Sequence, residues 1–147
     1  MSRSSDPFAA PDEPTRRREA RQRSVELLYE AEMKSCSLAE VLAEQVSDLD
    51  TFARELATGV ADRRDQLTAR LGQLLNTGWS PGRLGACDRL ILLQGLFELD
   101  RGAAPAAVVI NEAVELAHRL GATDRSGAFV NGVLAAALDS LDTLDSP

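Results

Sequence analysis

Histidine occurs once in these 147 residues and cysteine twice, and that scarcity removes several classes of chemistry at the outset. Cys36 and Cys87 stand far apart with no Cys-x-x-Cys spacing, so neither a disulfide framework nor a zinc site is indicated. Both read as small buried hydrophobic residues in a reducing compartment. The sole histidine, His118, leaves no Ser-His-Asp or Cys-His arrangement to argue for. Its Glu-x-x-His spacing with Glu115, one turn after Glu112, is half of a motif that di-iron carboxylate bundles use twice. No Gly-rich cofactor loop is present. We therefore expect no enzyme, no cofactor and no metal. Long apolar runs are also missing: the opening "MSRSSDPFAAPDEP" has none of secretory length and no later stretch would cross a bilayer, which makes the cytoplasm the default and a membrane partner unexpected.

What is present is an ordinary globular balance, 44% hydrophobic and 27% charged residues. A chain of this length forms a core without staples, burying roughly 68–70% of the surface its unfolded form exposes. Three prolines and scattered charges make residues 1–14 a flexible tail, and residues 15–147 are expected to form a single domain. Thr15 is a plausible N-cap for a helix running to about Lys34, with Pro14 biasing Glu13 away from helix. Ser37 can cap a short second helix. Leu49, Phe52, Leu56 and Val60, then Leu67, Leu71 and Leu74, recur at steps of three and four, one apolar stripe broken near Ala61 or Asp62 into two helices.

Ser80 before Pro81 marks a helix start, and "DRLILLQGLFELD", apolar on nearly all sides, marks a helix buried in the middle of the fold. Trp79 reads as a partly buried lid beside that turn. "AAVVINEAVELAHRLG" is a further amphipathic helix with Gly121 placed as a left-handed terminator, and Ser126 can cap the last helix. Asn111 and Asn131 sit in apolar runs and are expected to be hydrogen-bonded; Gly132 suggests tight helix packing. No period-two alternation is convincing, so the fold class is all-α: a compact bundle of about six or seven helices.

Charge is segregated. The formal net charge is −7, yet residues 16–23 hold five arginines against one glutamate, a local +4 that leaves −11 on the rest. Ala20, Ser24, Leu27, Leu28 and Ala31 fall on one arc of that helix, the core face; a second arc collects Arg18, Arg21, Val25 and Tyr29 as an exposed or half-exposed ridge. Guanidinium forks beside an aromatic face suit phosphate and unpaired bases, hence single-stranded RNA. The alternative is a purely protein-binding helical adaptor whose arginines grip an acidic partner.

The arginine-rich helix ending in "LLYEAE", the central "CDRLILLQGLFEL" and above all "VVINEAVELAHRLGATDRSGAFVNGVL" resemble the NusB family of bacterial transcription antitermination factors. The resemblance spans about residues 16–138. It implies an all-helical fold of two packed helical subdomains and no catalysis. It also implies binding to boxA RNA of ribosomal RNA leaders together with NusE, a small-subunit ribosomal protein, so that RNA polymerase reads through terminators. Carried onto this chain, the family's arginine motif falls on Arg16, Arg17, Arg18 and Arg21, with Arg23 a further candidate. Tyr29 matches an aromatic at the RNA and partner surface, Asp124 and Phe129 match positions near the RNA face, and Asp88 and Glu98 match acidic positions on the NusE side. Arg125 is a further candidate for an RNA contact. Monomer and homodimer are both left open.

Overall fold

The computed structural model describes residues 13–76 and 78–145. Among them are seven α-helices and no strand: α1 (Glu13–Met33), α2 (Leu38–Ala43), α3 (Thr51–Asp62), α4 (Arg64–Leu74), α5 (Ala86–Arg101), α6 (Ala106–Leu120) and α7 (Ser126–Asp145), with a single 3-10 turn at Pro81–Arg83 before α5. The all-helical expectation holds. The tail expected at residues 1–14 lies outside the described residues up to residue 12. Glu13 and Pro14 already belong to α1, which corrects the placement of Thr15 as N-cap. Proline is tolerated in a first turn, where its missing N–H has no partner to lose.

Helix α5 is the axis. Leu90, Ile91, Leu92, Leu93 and Leu96 are all buried, because α1, α3, α4, α6 and α7 each pack against α5. Removing such a leucine from water is worth about 1.5–3 kcal/mol, and the sequence's near-continuous apolar run is what lets one helix be covered on every side. Helices α1, α2 and α3 pack together on one side of it; α6 and α7 pack on each other on another, with α4 reaching both α3 and α7. The buried cluster runs without interruption from Val25 in α1 to Ala137 in α7.

Local signals explain the punctuation. The Ser37 hydroxyl accepts from the Glu40 N–H, 3.1 Å, as a cap for α2. Asp50 caps α3 through its Oδ1, which accepts from Phe52 N and Ala53 N at 2.8 and 3.3 Å. The long stripe divides at Arg63, where the backbone leaves helical geometry between α3 and α4, and Leu56, Val60, Leu67 and Leu71 are all buried.

Two expected stops are realised differently. The left-handed glycine is Gly102 after α5 (φ 67°), whereas Gly121 is extended (φ −67°, ψ 159°). Gly121 is required by proximity instead: a Cβ there would lie 2.3 Å from the Ala117 carbonyl and 2.4 Å from Ser126 Cβ. Ser126 lies inside the first turn of α7, and its Oγ accepts from Thr123 N–H and donates to Asp88 instead of capping. Ser80 precedes Pro81 as expected but makes no side-chain cap hydrogen bond.

Candidate nucleic-acid interface

The first three turns of α1 project four guanidinium groups outward. The side chains of Arg16, Arg17, Arg18 and Arg23 are 55%, 44%, 47% and 41% exposed, enough for each to reach an incoming ligand. They are steadied by carboxylates and an amide. Arg16 Nη2 donates to both oxygens of Glu13 at 2.9 and 2.7 Å, and Arg17 Nε donates to Glu13 Oε1 at 3.0 Å. The Arg16 hydrogen bond, aided by Arg17, holds the Glu13 carboxyl below its ordinary range. Glu13 thus serves two cations, and Arg16 Nε also lies 3.9 Å from Asp50 Oδ2. Arg18 crosses to α6 and grips Glu112 through two 3.0 Å hydrogen bonds. Arg23 donates to Gln45 Oε1 at 2.5 Å. Arg17 also lies over the Phe52 ring, 4.4 Å from its centroid. Beside it a groove of about 460 Å³ opens between the starts of α1 and α3 and the end of α5.

The fifth arginine is not part of this ridge. Arg21 is 3% exposed, and its Nε and Nη2 donate to the two carboxylate oxygens of Glu98, itself 6% exposed, at 2.9 Å each. The expectations that Arg21 faces RNA and that Glu98 faces a partner are corrected: each charge is spent on the other. Val25, placed on the same outward arc, is 1% exposed. The cause is packing. Helix α1 meets α2, α3 and α5 at once, so its buried arc is wider than one apolar stripe.

Asp88 is corrected in the same sense. It is buried, accepting from Ala122 N–H at 3.3 Å and from the Ser126 hydroxyl at 3.0 Å, and so fastens the α6–α7 loop to the start of α5. That loop carries Asp124 and Arg125, both exposed, and α7 then presents the half-buried Phe129. Trp79, Arg83, Arg125 and Phe129 line a second concavity of about 480 Å³ there. Trp79 is 57% exposed, not a partly buried lid. Tyr29 is 40% exposed, with Met33 one turn further along the same face of α1.

Asn111 and Asn131 are both exposed, so water can satisfy their amides and no buried hydrogen bond is demanded; Gly132 faces open space instead of a tight contact. Cys36 and Cys87 are free and only half-buried. His118 is exposed, with Nδ1 3.9 Å from Glu115, while Glu112 is engaged by Arg18. Among the described residues no group of three His, Cys, Asp or Glu side chains is placed to hold a metal ion, and no helix is long and apolar enough to cross a membrane. The residue that sequence reasoning passed over is Phe52. Its spacing places it on the apolar stripe, yet it is half-buried beneath two arginines, and the signal is its place two residues after the Asp50 cap, in the first turn of a helix.

Residues 18–139 match the NusB family. The transcription antitermination protein NusB of Thermobifida fusca (strain YX) is 37% identical over 132 residues, covering 87% of this chain and 92% of that protein. The solved NusB of T. maritima superimposes with a TM-score of 0.74 at 30% identity, covering 87% of this chain and 90% of that one. A structure of the antitermination factors NusB and NusE in complex with double-stranded RNA has the same fold, with a TM-score of 0.71, 24% identity, and coverage of 84% and 96%.

Proposed function

Since the chain belongs to the NusB family of transcription antitermination factors, we propose that it binds boxA-type single-stranded RNA together with NusE and acts with RNA polymerase at ribosomal RNA leaders. The observation that carries this reading is the set of outward guanidinium groups of Arg16, Arg17, Arg18 and Arg23 on a chain whose net charge is −7. These four supply phosphate contacts. Such contacts position a strand without reading its sequence, so discrimination falls to aromatic and polar groups and to the partner. Tyr29 offers an exposed aromatic surface further along α1, and Phe129, Asp124 and Arg125 offer a second contact region at the other end of α5. Arg21, Glu98 and Asp88 act from inside, by holding α1, α5 and the α6–α7 loop in register. One unit beginning near residue 15 carries all of these surfaces, a reading supported by the unbroken buried cluster. The acidic remainder steers a basic ribosomal protein by long-range attraction. The protein works in the cytoplasm, as a binding factor and not a catalyst.

Fluorescence anisotropy with a boxA-like single-stranded RNA and a scrambled strand, with and without NusE, tests the proposal. The expected result is tightening by NusE confined to the boxA-like strand. No preference for the boxA-like strand, with or without NusE, would instead support a protein-binding adaptor without RNA specificity.

A further inference from the structure

The groove beside Arg17 is unlike the rest of the arginine ridge. Its floor is an aromatic ring. Phe52 stands in the first turn of α3, and two guanidinium groups lie over it, that of Arg17 at 4.4 Å from the centroid and that of the buried Arg21 at 5.3 Å. The remaining walls bring cations and anions into near balance. Arg16, Arg17 and Arg101 line the groove on one account, Asp50 and Glu55 on the other. Glu55 accepts from Arg101 at 2.9 Å, and Asp50 is engaged by the N–H groups at the start of α3. Arg21 adds no net charge because Glu98 neutralises it. A concavity whose charges largely cancel around an aromatic floor is poorly suited to a phosphate and well suited to a neutral planar group. Its volume of about 460 Å³ exceeds what one nucleobase occupies. Phosphates have partners at the rim, on Arg16, and outside it, on Arg18.

Resting on the RNA reading above, we propose that Phe52 is a base-stacking platform: one unpaired RNA base enters the groove and lies on the Phe52 ring, and Arg17 moves off the ring to the adjoining phosphate. In the free protein the Arg17 guanidinium is a planar, cationic placeholder on the face that the base takes. Every nucleobase has a π-face, so the site accepts any base and rewards single-stranded over duplex RNA. Arginine is suited to the exchange because it stacks on an aromatic in one state and forks onto phosphate in the other.

The test compares wild type, Phe52→Leu, which keeps apolar volume without a π-face, and Phe52→Trp, which enlarges that face. Each is titrated with a boxA-like single-stranded RNA in the presence of NusE at several salt concentrations. Phe52→Leu is expected to weaken binding about tenfold, the loss of one stacked base, with the slope of log affinity against log salt unchanged and with binding restored in Phe52→Trp. Unchanged affinity in Phe52→Leu overturns the proposal while the RNA reading stands, and a wild type that binds no RNA overturns both. A loss accompanied by a slope shallower by about 0.7 also overturns it, because that marks one missing phosphate contact and makes Phe52 a support for Arg17 only. Should Phe52→Leu fail to fold, Phe52→Trp in a Trp79→Phe background gives an independent readout. Its emission is quenched on RNA addition if a base stacks there, and an unquenched signal in bound complex rejects the proposal.

Discussion

Five arginines of the same helix end up doing different work, and the difference is set by what each one touches. Arg16, Arg17, Arg18 and Arg23 keep their charge at the surface; Arg21 loses access to water and is matched atom for atom by Glu98. Breaking such a buried pair leaves an uncompensated charge and costs about 3–5 kcal/mol. Glu98→Ala and Arg21→Ala are therefore each expected to lower unfolding stability by about that amount in urea, whereas Arg16→Ala stays within about 0.5 kcal/mol. Equal effects of Arg16→Ala and Arg21→Ala would contradict the assignment. The cluster itself was legible in the sequence as a break from the chain's acidic balance. Which arginine turns inward was not, because its partner lies 77 residues away. A helical wheel also does not reveal that α1 has three neighbouring helices. The inward role of Asp88 is hidden from the sequence for a similar reason: its hydrogen bonds go to Ala122 and Ser126, far along the chain. At the same end of α5, burial pushes the Cys87 thiol up from its ordinary range, with the Asp88 and Glu32 carboxylates adding to the effect. In a Cys36→Ser background, thiol alkylation near pH 8 is expected to run slower than for a free cysteine peptide; an equal rate would contradict this.

Helix interiors make a sharper contrast through two glycines. Gly59 in α3 sits against the Phe97 ring of α5, and a Cβ there would come within 2.2 Å of Phe97 Cζ. Gly132 in α7 meets nothing within 4 Å. Alanine has an intrinsic advantage of about 1 kcal/mol over glycine in a helix, and Gly132→Ala should realise most of it as a higher melting temperature. Gly59→Ala should lose it, because overpacking a well-filled core costs about 1–3 kcal/mol. If both substitutions moved stability in one direction, the close α3–α5 approach would be wrong. The break between α3 and α4 and the Ser37 cap could be read from spacing and residue type, since both are local. The need for glycine at Gly59 could not, since it arises from the tertiary approach of Phe97.

Over the whole molecule, ion pairs tie separate helices together. Glu32 in α1 accepts from Arg89 of α5 at 2.8 and 2.6 Å and from Arg64 of α4 at 2.5 Å. The Arg89 hydrogen bonds, with Arg64 adding to them, hold the Glu32 carboxyl below its ordinary range. A carboxyl depressed in the folded state stabilises the fold above its unfolded pKa, and that contribution disappears as pH falls through the lower folded value. Urea stability should therefore fall on acidification below the ordinary carboxylate range, and Glu32→Gln should flatten that fall. A profile identical to wild type would remove Glu32 from the account.

The same geometry governs binding: four exposed guanidinium groups, Arg16, Arg17, Arg18 and Arg23, cluster at the start of α1, held by carboxylates that a phosphate can replace. Affinity for a boxA-like single strand, measured with NusE across a range of salt concentrations, tests that claim most directly. Four phosphate contacts predict a slope of log affinity against log salt of about −3, and the Arg16→Gln, Arg17→Gln, Arg18→Gln triple variant, with its fold verified by circular dichroism, predicts about −1 with much weaker binding. A flat response in wild type, or a triple variant that captures RNA as tightly as wild type, would contradict it.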